Sequence, residues 1–129
     1  MAFREVTETI IGCAYRVYNA MGHGFLESVY EKCRLIELRS FGLQVENQKS
    51  ITVRYQGEVV GEFVADLLVE GSVIVELKAV RKLSPVHEAQ LVNYLVATEK
   101  PVGLLVNFGE TRVEVRRKVP KLLPGESIL

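Results

Sequence analysis

"FVADLLVEGSVIVELKAV", residues 63–80, decides the fold. In a strand, successive side chains point to opposite faces. The odd positions are Phe63, Ala65, Leu67 and Val69, then Val73, Val75, Leu77 and Ala79. All are apolar, so this face is expected to lie on the core. The even positions are Val64, Asp66 and Leu68, then Ile74, Glu76 and Lys78, which set charges among aliphatics. The stretch therefore reads as two strands around the turn "EGS". A three-residue turn pairs Val69 with Val73 and sets Asp66 opposite Glu76. A two-residue turn would put Asp66 on the greasy face, against the hydrophobic pattern. The pattern selects the odd loop, or a bulge with the same effect.

Working outward, "LQVENQKSITVRY" (43–55) alternates and is rich in strand formers, and "QGE" (56–58) turns it into the strand starting at Val59. Upstream, Val6, Ile10, Val17 and Met21 recur at helical spacing and predict a helix over 5–21. "MGHG" (21–24) breaks that pattern, and a second helix is expected over 26–41 with Gly42 as its C-cap. Downstream, Ser84 and Pro85 open a third helix whose apolar face is read as Val86, Leu91, Tyr94 and Leu95. "VGLLVNFG" follows as a strand buried on both faces. "TRVEVRRKV" reads as an edge strand, and "PKLLPGESIL" as an irregular tail. A helix between the third and fourth strands makes a crossover, and a crossover implies a parallel pair. The expectation is an α/β or α+β domain with one mixed sheet, filling residues 1–129.

The 129-residue chain is almost half hydrophobic, enough to build one core without disulfides or a structural metal. Its formal net charge is zero, so any contact with a phosphate backbone must come from a local patch. No apolar run approaches the roughly 20 residues that span a bilayer. "MAFREVTETI" lacks the layout of a signal peptide. Cys13 and Cys33 read as small hydrophobes in a reducing cytosol, and neither they nor His23 and His87 match zinc-ligand spacing. A cytoplasmic protein is expected.

Two carboxylates facing each other across a strand pair have Cβ atoms about 5 Å apart. In a partly dry site they repel, or one keeps a proton. Lys78 offsets some of that repulsion. A divalent cation offsets more, because Mg²⁺ prefers carboxylate oxygens and water. A solvent-facing sheet surface with an ordinary ion pair accounts for the same pattern.

Asp66 followed by Glu76-Leu77-Lys78 resembles the metal site of the PD-(D/E)XK nuclease superfamily, with Ala65 in place of the usual proline. "GFLESVY" (24–30) is similar to the signature of the small prokaryotic GxxExxY family, through Gly24, Glu27 and Tyr30. "QLVNY" (90–94) is similar to the QxxxY helix motif of RecB-like and lambda-exonuclease-like members. The resemblance implies a restriction-endonuclease-like core and a Mg²⁺- or Mn²⁺-dependent nuclease acting on DNA. It implies that Asp66, Glu76 and the Leu77 carbonyl hold the metal, with Glu27 as a direct or outer ligand. Lys78 would orient or deprotonate the attacking water and neutralise the scissile phosphate. Gln90 and Tyr94 would position water, lysine or phosphate. Arg81, Lys82 and Tyr30 would contact the nucleic acid.

Each role has a structural alternative. Glu27 suits a helix N-terminus through the dipole alone. Tyr30 and Tyr94 can be packing residues, while His23, His87, Arg81 and Lys82 can be surface residues. Arg112, Arg116, Arg117, Lys118 and Lys121 form a basic run that suits phosphate contact or a charged edge strand equally. An inactive nuclease-fold module binding nucleic acid or protein competes with the enzyme, as does an RNA-directed nuclease. A homodimer through the edge strand or the first helix is compatible with the sequence.

Overall fold

A computed structural model describes residues 3–120. Among the described residues, three helices and five strands follow one another as α1 (Phe3–Met21), α2 (Glu27–Ser40), β1 (Val45–Tyr55), β2 (Glu58–Val69), β3 (Val73–Lys78), α3 (Pro85–Thr98), β4 (Val102–Phe108) and β5 (Val113–Lys118). The strands form one sheet in chain order, β1-β2-β3-β4-β5. β3 and β4, joined through α3, are parallel neighbours, and the other described pairs are antiparallel. The fold is the expected mixed α/β sheet flanked by helices. Among the described residues, no helix is long and apolar enough to cross a membrane. Lys121 and most of the expected irregular tail lie outside the described residues.

Local chemistry accounts for the boundaries. Gly42, at φ +79°, ends α2 in a left-handed turn that a side chain would resist. Its N–H donates to the Arg39 carbonyl and that of Leu43 to the Leu38 carbonyl, a Schellman closure with Leu38 and Leu43 both buried. Ser84 and Pro85 open α3 as expected. The Ser84 N–H donates to Nδ1 of His87 at 3.2 Å, so His87 is a half-buried capping residue rather than a solvated one. The β1–β2 turn is a two-residue loop with Gln56 and Gly57 both at positive φ. The β2–β3 turn is the three-residue loop that the hydrophobic pattern selects, because Val69 pairs with Val73.

The core has two layers, and here the alternation misleads. Leu67, Val69, Val73, Val75 and Leu77 pack with α1 and α2. Phe63 and Ala65, although also odd, pack on the opposite face with Leu91 and Leu95 of α3, beside even-numbered Leu68 and Ile74. The expectation of one core face for all eight residues therefore fails between Ala65 and Leu67. The physical cause is a shared irregularity. Gln48 of β1 sits at φ +48°, a conformation that bulky residues avoid, and it lies between the paired residues Asn47–Leu67 and Lys49–Ala65. Both strands change face there. Beyond it the β1–β2 hairpin turns onto α3, and Phe63 stacks on Tyr94 with ring centroids 3.8 Å apart. Val86, expected on the apolar face of α3, is 71% exposed. β4 is buried along its whole length, as expected.

Candidate active site

The face change opens a fork in the sheet. The β2–β3 ladder holds only from Val69–Val73 to Leu67–Val75. At the next position the carboxylates replace the backbone as hydrogen-bond partners. The Asp66 N–H donates to Oε2 of Glu76 at 3.1 Å, and the Leu77 N–H donates to Oδ2 of Asp66 at 2.8 Å. Each acid thus caps the other strand's open edge. This reciprocal bonding fixes both side chains in the gap. It accounts for an aspartate in mid-strand, where the residue is ordinarily disfavoured.

Electrostatics follow from this placement. Asp66, Glu76 and Lys78 are all half-buried. Burial first, then the neighbouring Asp66 carboxylate, pushes Glu76 up from 4.5 to about 8. The Asp66 N–H and the Lys78 ammonium pull it down only in part. A carboxyl in this setting holds its proton at neutral pH until a cation replaces it.

The expected site residues divide between the two sides of the fork. Asp66 lines a cleft of about 320 Å³ with Glu27, Ser28, Glu31, Gln48 and Leu77, on the α2 side. Glu76 and Lys78 line a small hollow on the α3 side with His87, Gln90 and Tyr94. The sequence reading put Asp66, Glu76 and Lys78 on one face; here Asp66 lines the α2-side cleft and the other two line the α3-side hollow, although the Asp66 and Glu27 carboxylates both still act on Glu76 through space. Glu27, exposed at the start of α2, and exposed Gln90 stand on opposite sides. Among the described residues, no three His, Cys, Asp or Glu side chains form a group close enough to hold a metal ion.

Tyr30, expected at the substrate, is wholly buried. Its ring stacks parallel on Phe108 at 4.2 Å, and its hydroxyl donates to the Gly22 carbonyl at 2.6 Å and accepts the Phe25 N–H at 3.3 Å. It anchors the loop before α2 and presents no surface to a ligand. Arg81 and Lys82 are exposed, and Arg81 lies 3.5 Å from Glu110. The basic run of β5 is partly neutralised. Lys118 pairs with Glu88 of α3 at 2.6 Å, and Arg116 lies 3.9 Å from both Glu88 and Glu114.

Three supporting residues are not legible as such in the sequence. Gln48 directs Nε2 to Glu31 and, at 3.4 Å, to Asp66. Asn107 is fully buried, accepts the Val80 N–H and donates to the Val80 carbonyl and to Glu114, holding the segment just after Lys78 against β4. Glu114 also accepts the Leu83 N–H at 3.3 Å. The polar Asn107 inside "VGLLVNFG" is the one sequence signal that could have drawn attention to this brace.

Comparison with known proteins decides the family. The family model of the PD-(D/E)XK nuclease superfamily matches residues 4–118. The chain belongs to the PD-(D/E)XK nuclease superfamily. No curated protein matches the chain. Among solved structures, SSO0001 superposes with a TM-score of 0.54 at 19% identity, over 95% of this chain and 62% of that one. This chain thus spans under two thirds of that protein, and the likeness is one of fold.

Proposed function

We propose that this superfamily member is a Mg²⁺- or Mn²⁺-dependent deoxyribonuclease of the GxxExxY type, working as a single domain over 1–129. The observation that supports it is the fork: two acids from different strands, bonded reciprocally across an opening, with Lys78 two residues beyond Glu76. The donor set suits a hard divalent cation, because both acids are oxygen ligands and the Lys78 ammonium compensates the raised Glu76 carboxyl only in part. Asp66, Glu76 and the Leu77 carbonyl would hold the ion, with Glu27 across the cleft as a further acid. When bound, such an ion acts as a Lewis acid on the phosphate and lowers the pKa of bound water.

The chain's own groups do the rest. Lys78 supplies positive charge where the pentavalent phosphate gathers negative charge. Gln90 and Tyr94, one turn apart on α3, border the same hollow and offer an amide and a hydroxyl to orient water, lysine or phosphate. Tyr94 is held for this by its stack on Phe63. Gln48 steadies Asp66 from the far side. Arg81 and Lys82 follow the catalytic strand and are exposed where they can meet the backbone of the nucleic acid.

Cleavage of single- and double-stranded DNA, with RNA alongside, tests this reading. Activity should require Mg²⁺ or Mn²⁺, vanish with EDTA, and fall at least a hundredfold in Lys78→Ala, in line with the roughly 10²–10³-fold loss when a transition-state charge donor is removed. Undiminished activity in both Lys78→Ala and Asp66→Ala would refute the mechanism. A second reading, an inactive nuclease-fold module, is favoured by one observation: Glu27 and Asp66 face a different cleft from Glu76 and Lys78. That reading expects nucleic-acid or protein binding with no metal affinity lost in Glu76→Ala.

A further inference from the structure

A larger cavity than either catalytic cleft adjoins the site. It holds about 380 Å³ and lies between the loop before α2 and the ends of β3 and β4. One wall is apolar, formed by Phe25 and Leu26, which are 41% and 76% exposed. The lining also carries three polar side chains, Arg81, His23 and Glu110. Leu26 directly precedes Glu27, and Arg81 comes three residues after Lys78. The cavity is therefore lined by residues next in sequence to the candidate catalytic groups.

We propose that the cavity receives one unpaired nucleotide adjoining the scissile phosphate, its base against Phe25 and its phosphate on Arg81. The inference rests on the nuclease reading for its position beside the cut. Its chemistry rests on the cavity itself. The volume falls at the low end of small-ligand pockets, roughly 300–1,000 Å³, which suits one base with its sugar and not a base pair. Aromatic faces exposed beside cationic groups are how single strands are held without regard to sequence. The Phe25 ring is held in place before any ligand arrives. Its backbone N–H donates to the Tyr30 hydroxyl, and its ring meets the Tyr30 ring edge-on at 6.0 Å. The Arg81–Glu110 pair is exposed on both sides and spans 3.5 Å, so a phosphate can displace the carboxylate at little expense. The substrate class is then single-stranded DNA, or a duplex with an unpaired end or gap at the cut.

Binding of a short single-stranded oligonucleotide carrying one fluorescent adenine analogue tests the proposal. The titration is done in EDTA, so no cleavage enters it. Wild type should quench the analogue on binding. Phe25→Leu, which keeps the apolar packing, should lose the quenching and about tenfold in affinity. Arg81→Ala should weaken binding several-fold and flatten its salt dependence by about one phosphate contact. A fully paired duplex should compete at least tenfold less well. Quenching and affinity unchanged in both Phe25→Leu and Arg81→Ala would overturn the proposal, as would equal binding of the duplex. These readouts are independent of the chemistry. A wild-type protein that quenches the analogue but cuts nothing with Mg²⁺ or Mn²⁺ supports the pocket and removes the nuclease reading; cleavage without quenching does the reverse.

Discussion

Glutamine at position 76 keeps the shape and hydrogen-bonding capacity of the glutamate and removes its charge. In metal-free wild type, burial and Asp66 raise the Glu76 carboxyl from 4.5 to about 8. A folded-state pKa above the unfolded one means that the folded protein holds the proton more tightly. The resulting stability is complete below about pH 4.5 and is lost progressively as pH rises through 8. At about 1.4 kcal/mol per pH unit, the window from 4.5 to 8 corresponds to at most about 5 kcal/mol. Partial solvent access at the fork trims this to about 2–5 kcal/mol, still a large share of the roughly 5–15 kcal/mol that holds a domain together. Glu76→Gln lacks this term, so the variant should match wild type near pH 5 and exceed it by about 2–5 kcal/mol at pH 9. Urea unfolding in EDTA across that range measures it, and the difference between the two proteins cancels the other titrating groups. Mg²⁺ should stabilise wild type at neutral pH and release close to one proton per ion, read by calorimetry in buffers of different ionisation enthalpy. The variant should do neither. Parallel stability curves for the two proteins would refute the account of a desolvated, acid-coupled Glu76.

Substitutions at three other positions probe the frame around the site. Tyr30→Phe loses the hydroxyl's bonds to Gly22 and Phe25 while keeping the Phe108 stack, and should lower stability by about 1–2 kcal/mol, seen as a Tm several degrees lower. Gln48→Gly should exceed Gln48→Ala in stability by about 1 kcal/mol by urea unfolding, because only glycine relieves the positive φ while both lose the bond to Asp66. Arg34 is fully buried in α2, with one guanidinium nitrogen on the Ile10 carbonyl and Nε and Nη1 without hydrogen-bond partners. Arg34→Met should therefore raise the unfolding free energy by on the order of 1–3 kcal/mol, seen as a higher urea midpoint, and a lower midpoint would show that the cation is compensated.

Much of this molecule is written locally. The helices follow from their apolar spacing, the Schellman closure from Gly42, and the α3 start from Ser84-Pro85. The three-residue turn at Glu70–Ser72 follows from the need to keep Val69 and Val73 on one face. The parallel β3–β4 pair follows from a helix inserted between two strands. Asp66, Glu76 and Lys78 stand out because charges interrupt an apolar alternation. These signals depend on neighbours a few residues away, so the chain carries them before it folds.

Tertiary packing decides the rest. Nothing in "FVADLLV" announces that Ala65 and Leu67 face different helices. That outcome needs Gln48 in a left-handed conformation and a hairpin drawn onto α3 by the Phe63–Tyr94 stack. The same packing hides Tyr30 and braces Val80 with Asn107, because their partners lie on distant segments. It also sets Asp66 and Glu27 in one cleft and Glu76 and Lys78 in another. Alternation along a strand says that two faces exist; which residues share one is decided only when helices from elsewhere in the chain compete to cover them.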